Sequence, residues 1–304
     1  MAFQKLSRSI RLLIFWLVHL RTPSELLARI FGPACKIISG NELAFKYKSI
    51  FGKKGFSIFI PADSHIFRRF VKYGSWELEA SHFLAQGIEE DGTIVDLGAH
   101  AGLVSLQALK IANRKHVKVV AVEPIPQTIE CLKKNFKGVD LVLFEAGFSL
   151  GNSSDLMIIL DLDNLGNSTI LPHMISNTQG VLNRLKISSV SVADVIIQIP
   201  NKPFVLKSDL QGLDAYVLSL FPDYIWSTVS RAVIEVNPRA QVPQKIIMDL
   251  LENIGNYLDA SWQVFPFKPE STSNISKFWS SDSLEERNLY LKPKLTTCTT
   301  HEKF

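Results

Sequence analysis

Hydrophobic positions form a strand, helix and strand pattern between Thr93 and Pro124, TIVDLGAHAGLVSLQALKIANRKHVKVVAVEP. A β-branched and apolar run, Thr93 to Val95, stops at an acid, Asp96. A turn carrying Gly98 and Gly102 follows, after which Leu103, Leu106 and Leu109 recur at helical spacing. A second apolar run, Val117 to Val122, broken only by Lys118, stops at Glu123 and Pro124. Strand, glycine turn, helix and strand make one βαβ unit, and runs this apolar are buried on both faces of a parallel sheet. Such a crossover is right-handed, so the turn after Asp96 lies at the carboxyl edge of the sheet, where open α/β sheets bind ligands.

The pattern continues on both sides of this unit. Trp76 to Gly87 predicts a helix leading into the first strand, Pro126 to Phe136 an amphipathic helix closed by Gly138, and Val139 to Phe144 a third strand. Residues 147–192 are polar and rich in loop signals, the mark of a lid or insertion. PFVLK, Pro203 to Lys207, is the next buried strand; Ser208 and Asp209 end it before a helix starting near Gly212. Ala232 to Val236 is a further strand carrying Glu235. A helix from Gln241 to Ile254, strand-like Gln263 to Phe267 and Arg287 to Leu291, and a polar loop from Ser271 to Ser283 complete the pattern. Ahead of it, β-like runs between Lys36 and Ile60 surround a Gly52–Gly55 hairpin turn. There Phe45 and Tyr47 alternate with Lys46 and Lys48, which implies one solvated face. The expected organisation is a helical leader (1–33), a small β cap (34–75), an α/β domain (76–292) and a frayed tail (293–304).

Charge changes the picture only at the amino terminus. Residues 1–36 hold six Lys and Arg against one Glu, which leaves 27 bases and 28 acids in the rest of the chain. A neutral body lacks the basic stripe that nucleic acid requires. The seven-residue apolar run Leu12 to Val18 is well short of the roughly 20 residues of a spanning helix. Lys5, Arg8, Arg11 and His19 share one flank against Leu6, Ile10, Leu13, Trp16 and Leu17. Residues 5–20 therefore suit peripheral contact with a membrane interface, and equally a helix packed on its own domain or on a partner subunit. Three scattered cysteines form no disulfide framework and no metal site, which points to the cytoplasm, with the inner membrane face as the candidate surface.

The acids at the strand ends bear on chemistry. Glu123, 21 positions after Gly102, stands where an acid accepts both hydroxyls of a ribose. A dinucleotide fingerprint wants further glycines where His100 and Leu103 stand. Asp96 would repel a pyrophosphate and attract a cationic amino-acid moiety. Gly98 and Gly102 allow a tight turn and a close approach to a bound molecule. Asp209 falls at the carboxyl edge of the strand expected beside the first. A carboxylate there can orient a hydroxyl and take its proton. Lys207 is placed to lower its pKa or hold an anionic substrate group, and Glu235 is a second carboxylate on the same edge. A helix cap for Asp209 and an ion-pair role for Glu235 explain the same positions without chemistry. Basic Arg68, Arg69 and Lys72 suit either an anionic substrate or a solvated face.

D-L-G-A-H-A-G followed by V-E-P-I-P resembles the first two motifs of the FkbM family of class I S-adenosylmethionine-dependent methyltransferases, with His100 where that family has Asn. K-S-D-L-Q-G (Lys207 to Gly212) is similar to its K-x-D-x-E-G, with Gln211 for Glu, and A-V-I-E-V to its later strand ending in an acid. The resemblance runs from about Trp76 to Leu291. It implies a Rossmann-like, seven-stranded, mostly parallel methyltransferase sheet with helices on both faces, and S-adenosylmethionine held by Asp96, Gly98, His100, Gly102, Glu123, Pro124, Glu145 and Ala146. It also implies catalytic roles for Asp209, Lys207 and Glu235. Glu77 and Glu79 would lie near the site mouth and the segment Gly166 to Thr169 near the cofactor, while His173 reads as a surface residue. The implied reaction is O-methylation of a hydroxyl on a sugar, polysaccharide or glycolipid. Two other readings stay open: a nicotinamide-dependent oxidoreductase, and a membrane-associated scaffold with a relic cofactor site.

Overall fold

The computed structural model describes residues 42–47, 56–61, 66, 75–149, 155–161, 164–174 and 183–294. Strands β1 (Glu42–Tyr47) and β2 (Phe56–Pro61) pair as an antiparallel hairpin. The chain then runs through α1 (Leu78–Ala85), β3 (Thr93–Leu97), α2 (Leu103–Ala112), β4 (Lys118–Val122), α3 (Pro126–Asn135) and β5 (Asp140–Phe144). A smaller set follows: β6 (Gly147–Phe148), β7 (Asp155–Leu160), β8 (Asn183–Val190) and α4 (Val192–Ile196). The remainder comprises β9 (Phe204–Ser208), α5 (Asp214–Leu218), α6 (Asp223–Trp226), β10 (Val229–Val236), α7 (Gln244–Tyr257), β11 (Leu258–Ser261), α8 (Thr272–Trp279) and β12 (Arg287–Pro293).

Seven strands form one sheet in the order β11-β12-β10-β9-β3-β4-β5. The five from β10 to β5 are mutually parallel, and β12 runs against both β10 and β11. The expected Rossmann-like α/β sheet is therefore what the apolar runs build. Alternate residues sort to opposite faces, as a pleated strand requires. Ile94, Val119, Val205 and Val233 bury against α1, α2 and α3, while Val95, Val120, Leu206 and Ile234 bury against α4 to α8. Both faces are covered at these positions, which is why the centres of these strands are apolar on both faces.

Three expectations change. Gln263 to Phe267 is not a strand: Pro266 offers no N–H to a ladder, and β11 instead follows α7 directly at Leu258. Ser271 to Ser283 is not a loop throughout. The Ser271 side chain accepts from the Asn274 N–H and caps α8, whose Ile275 and Trp279, four residues apart, are both 2% exposed. Residues 147–192 contain a three-stranded sheet, β6-β8-β7, whose Ile158, Leu160 and Ile187 close on Ile125 and Leu165.

The hairpin is joined to the main body. Asn135 at the end of α3 accepts from the Phe59 N–H at 2.7 Å and donates to the Phe59 carbonyl at 2.8 Å, while Ile58 and Ile60 are wholly buried in the core under α1 and α2. The leader (1–33), the Gly52–Gly55 turn, Arg68, Arg69, Lys72 and residues 295–304 of the tail lie outside the described residues. Among the described residues no helix is long and apolar enough to cross a membrane.

Burial of Ile60 in the common core gives a direct test. Ile60→Ala should cost about 2–5 kcal/mol in urea unfolding, as for any large-to-small core change, with a single cooperative transition. A loss near zero, or a second transition at low urea, would make the hairpin a detachable cap.

Candidate functional site

Strand register creates the site. In the parallel pair β3·β9, Asp96 lies beside Lys207 and Leu97 beside Ser208. The pairing runs one residue further, because the Asp209 N–H donates to the Leu97 carbonyl at 2.9 Å. Neighbouring residues of parallel strands project to the same face, so a carboxylate and an ammonium meet inside the sheet edge. Lys207 Nζ lies 3.5 Å from Asp96 Oδ1 and 3.6 Å from Asp209 Oδ2, and donates to the Gly98 carbonyl at 3.0 Å. Ser105, in the first turns of α2, donates to Asp96 Oδ2 at 2.5 Å.

The glycines serve this junction, and Gly98 also lines a cavity. Gly98 has φ +74°, and a Cβ there would stand 1.8 Å from the Asp209 carbonyl oxygen. Gly102, with φ +71°, faces the Phe136 ring, which a Cβ would meet at 2.3 Å. The expected close approach is real, but the neighbour is the protein's own chain. Between them His100 also takes a left-handed conformation, φ +51°, one that Asn, Asp and His adopt more readily than other non-glycine residues.

Glu123, after β4, is 4% exposed. Its Oε2 accepts from the His100 N–H at 2.8 Å, and its Oε1 from the Ile125 N–H at 2.9 Å and the Thr128 hydroxyl at 2.7 Å. Burial pushes its carboxyl upward, and these hydrogen bonds and Lys207 oppose the shift.

Two cavities adjoin at this edge. The larger, of about 440 Å³, is lined by Trp76, Glu77, Lys207, Glu235 and Glu286 among others. The smaller, of about 90 Å³, is mainly apolar: Val122, Ile125, Phe148, Ile158 and Leu213 face it, with Glu123 at one side. His100, Gly166, Asp209 and Gln211 line both and so mark where they meet. Among the described lining residues Lys207 is the only lysine or arginine. Burial alone would lower its pKa, but Asp96, Asp209, Glu77 and Glu235 together outweigh that and hold the ammonium charged. Burial, then the charge of Lys207, lowers His100 to about 3, so its ring is neutral. Burial pushes Asp214 up to about 7, although it accepts from the Ser208 hydroxyl and the Leu210 N–H and so ties down the turn carrying Asp209.

Of the residues expected to hold a cofactor, Gly98, His100, Glu123, Pro124 and Ala146 line the cavities. Asp96, 1% exposed, lies beneath them, and Gly102 faces Phe136. Glu145 is turned outward, half exposed and paired with Lys133 at 2.6 Å. Asp209, Lys207 and Glu235 share the larger cavity, Glu77 joins them and Glu79 does not. Gly166, Ser168 and Thr169 line the smaller cavity, while His173 is exposed with Nε2 3.2 Å from the Ala240 carbonyl. Pattern reading missed Ser105, Asp214 and Glu286. Ser105 had a signal, since it follows Asp96 by nine residues on the buried side of α2; Glu286 had none, being brought in by the reversed strand β12.

No family model matches the sequence and no curated protein does. Several solved structures are similar in fold. A TehB-like SAM-dependent methyltransferase from Corynebacterium glutamicum is 13% identical, with 76% of this chain and 96% of that chain covered at a TM-score of 0.39. A precorrin-6y C5,15-methyltransferase from Geobacter metallireducens is 12% identical over 71% of this chain and 86% of that one, TM-score 0.34. The plantazolicin methyltransferase BpumL, solved in complex with SAH, is 10% identical over 71% and 83%, TM-score 0.34. Likenesses this remote carry nothing about the chemistry of this chain.

Two outcomes follow from the buried charges. Lys207→Met should cost about 3–5 kcal/mol, because the buried Asp96 loses its cationic partner; Asp96→Asn in the same chain should recover part of that loss in urea unfolding. His100 binds a proton near 6.5 when unfolded and only near 3 when folded. The unfolded chain then holds more protons between those values, so stability falls as pH drops from 6.5 towards 3. His100→Asn, which tolerates the same backbone, should lose less stability over that window and match wild type in pH dependence above it.

Proposed function

We propose that this chain is an S-adenosylmethionine-dependent O-methyltransferase acting on a hydroxyl-bearing acceptor, a sugar, polysaccharide or glycolipid. One observation carries the reading. An apolar slot flanked by Glu123 opens into an acid-lined cavity containing Asp209, and the single cation among the described lining residues is already bound to Asp96. A pyrophosphate would find no free positive group there, which disfavours the nicotinamide alternative. A ligand with an aromatic base, a ribose and a cationic tail finds partners along the whole length.

The residues fit such a molecule. Val122, Ile125, Phe148 and Leu213 offer apolar surface for a purine. Glu123 Oε2 has one hydrogen-bond donor, the His100 N–H, and a carboxylate oxygen has a second lone pair for a ribose hydroxyl. Glu77 supplies negative charge on the cationic side. Bound there, S-adenosylmethionine supplies a methyl carbon already activated by its sulfonium. The chain's own part is to hold the acceptor and move one proton. Asp209, 29% exposed at its side chain, is held at Oδ1 by the Gln211 amide at 2.8 Å and accepts the proton of the acceptor hydroxyl. Lys207, 3.6 Å from Asp209 Oδ2 and bonded to the Gly98 carbonyl, fixes it beside the Gly98 turn. Gln211, where the resembling family has Glu, donates to Asp209 where a second carboxylate would repel it. Residues 5–20 of the leader would bring the cytoplasmic enzyme to the inner membrane face, near a glycolipid acceptor.

Calorimetric titration tests the reading. S-adenosylmethionine and S-adenosylhomocysteine should bind and NAD should not. Glu123→Gln should weaken S-adenosylhomocysteine about tenfold or more, the loss expected when a charged hydrogen-bond acceptor is removed. Asp209→Asn should lower methyl transfer about 10²- to 10⁴-fold while leaving that affinity near wild type. Binding of NAD in preference would support the oxidoreductase, and no binding of any of the three the scaffold.

A further inference from the structure

Each acid at this sheet edge but one has a protein partner. Asp96 reaches Ser105 and Lys207, Asp209 reaches Gln211 and Lys207, Glu123 reaches His100, Ile125 and Thr128, and Asp214 reaches Ser208 and Leu210. Glu235 is the exception among the described residues: Asp96 Oδ1 also lacks a hydrogen bond but lies 3.5 Å from Lys207 Nζ. Glu235 is 8% exposed, it faces the larger cavity, and its Oε2 is buried with no hydrogen-bond partner among the described residues. Buried polar atoms are almost always satisfied, and one that is not calls for an explanation. A ligand group that completes it in the bound state is such an explanation.

The position of Glu235 says which ligand. Strand β10 lies on the far side of β9 from the glycine turn. Glu235 lines the larger cavity and is absent from the wall of the apolar slot. It therefore stands on the acceptor's side of Asp209, away from Glu123. Its surroundings are acidic: Glu77, Asp209 and Glu286 share the wall, Glu286 pairs with Arg239, and Lys207 is committed to β3. Burial first, then Asp209, Asp214 and Glu77, push the Glu235 carboxyl well above its ordinary range, with Lys207 opposing. A neutral carboxyl both donates and accepts, which matches a hydroxyl better than an ammonium.

We infer that Glu235 is a specificity-determining residue whose free oxygen hydrogen-bonds a second hydroxyl of an uncharged, polyhydroxylated acceptor, while Asp209 faces the reacting hydroxyl. The acids around it turn away acceptors that carry a phosphate or carboxylate there. The inference rests on the methyltransferase reading and narrows its substrate class.

Glu235→Leu and Glu235→Gln are compared with the full-length wild type in three measurements. These are thermal melting, titration with S-adenosylhomocysteine, and saturation-transfer NMR of the S-adenosylhomocysteine complex using methyl glucoside and glucuronate as probes. The Leu variant, relieved of an unmatched buried oxygen, should melt at or above wild type. Both variants should bind S-adenosylhomocysteine within about twofold of wild type. The wild-type complex should transfer saturation to methyl glucoside and not to glucuronate; Glu235→Gln should keep that signal and Glu235→Leu lose it. Melting lowered by about 5 °C or more in both variants would make Glu235 structural. S-adenosylhomocysteine affinity weakened about tenfold in both would make it a cofactor contact. A glucuronate signal equal to the glucoside's, a glucoside signal surviving in the Leu variant, or no signal for either probe in wild type also overturns the inference. If wild type fails to bind S-adenosylhomocysteine at all, the methyltransferase reading itself falls and takes this inference with it.

Discussion

The site depends on how closely two neighbouring strand ends are spliced. Asp96 and Lys207 meet across β3 and β9 because the parallel register sets them side by side. The absence of a side chain at Gly98 lets the Asp209 carbonyl pack where a Cβ would be. Lys207 then bridges Asp96, the Gly98 carbonyl and Asp209. A buried ion pair of this kind adds little net stability against apolar replacements, but losing one partner is costly. Its consequence is positional: the turn facing the apolar slot and the acid facing the larger cavity cannot shift independently.

Electrostatics divide the labour among five carboxyl groups within a few residues of one edge. Asp96 is spent on Lys207. Asp214 holds the turn that presents Asp209, and Glu123 orders the next turn through His100 and Ile125. Asp209 keeps an exposed side and lies 3.6 Å from Lys207. Glu235 is buried, and burial pushes its carboxyl well above the ordinary range, with Lys207 opposing.

The glycine turn shows how a correct motif can carry an incomplete reason. Gly98 and Gly102 were legible as turn residues. Their missing side chains, however, make room for Asp209 and Phe136, residues 111 and 34 positions away, which local pattern cannot reveal. Glu145 shows the opposite case. It follows its strand as Glu123 does, yet it belongs to the outermost strand β5, where solvent and Lys133 are the nearer partners. Loop-like composition between residues 147 and 192 concealed a small sheet, because β8 alternates Leu185 and Ile187 with Lys186 and Ser188, and the apolar run of β7 is only five residues long.

By itself the sequence determined the order of elements, the burial of the central strands and the placement of Asp96, Glu123, Asp209 and Glu235 at strand ends. Those features follow from periodicity and from the handedness of a crossover, both local properties of the chain. Only the tertiary structure decided which of these acids face a cavity, which are consumed by neighbours, and that Glu235 retains an oxygen with no hydrogen-bond partner among the described residues. Partnership between residues more than a hundred positions apart depends on register and packing, and neither is written in the spacing along the chain.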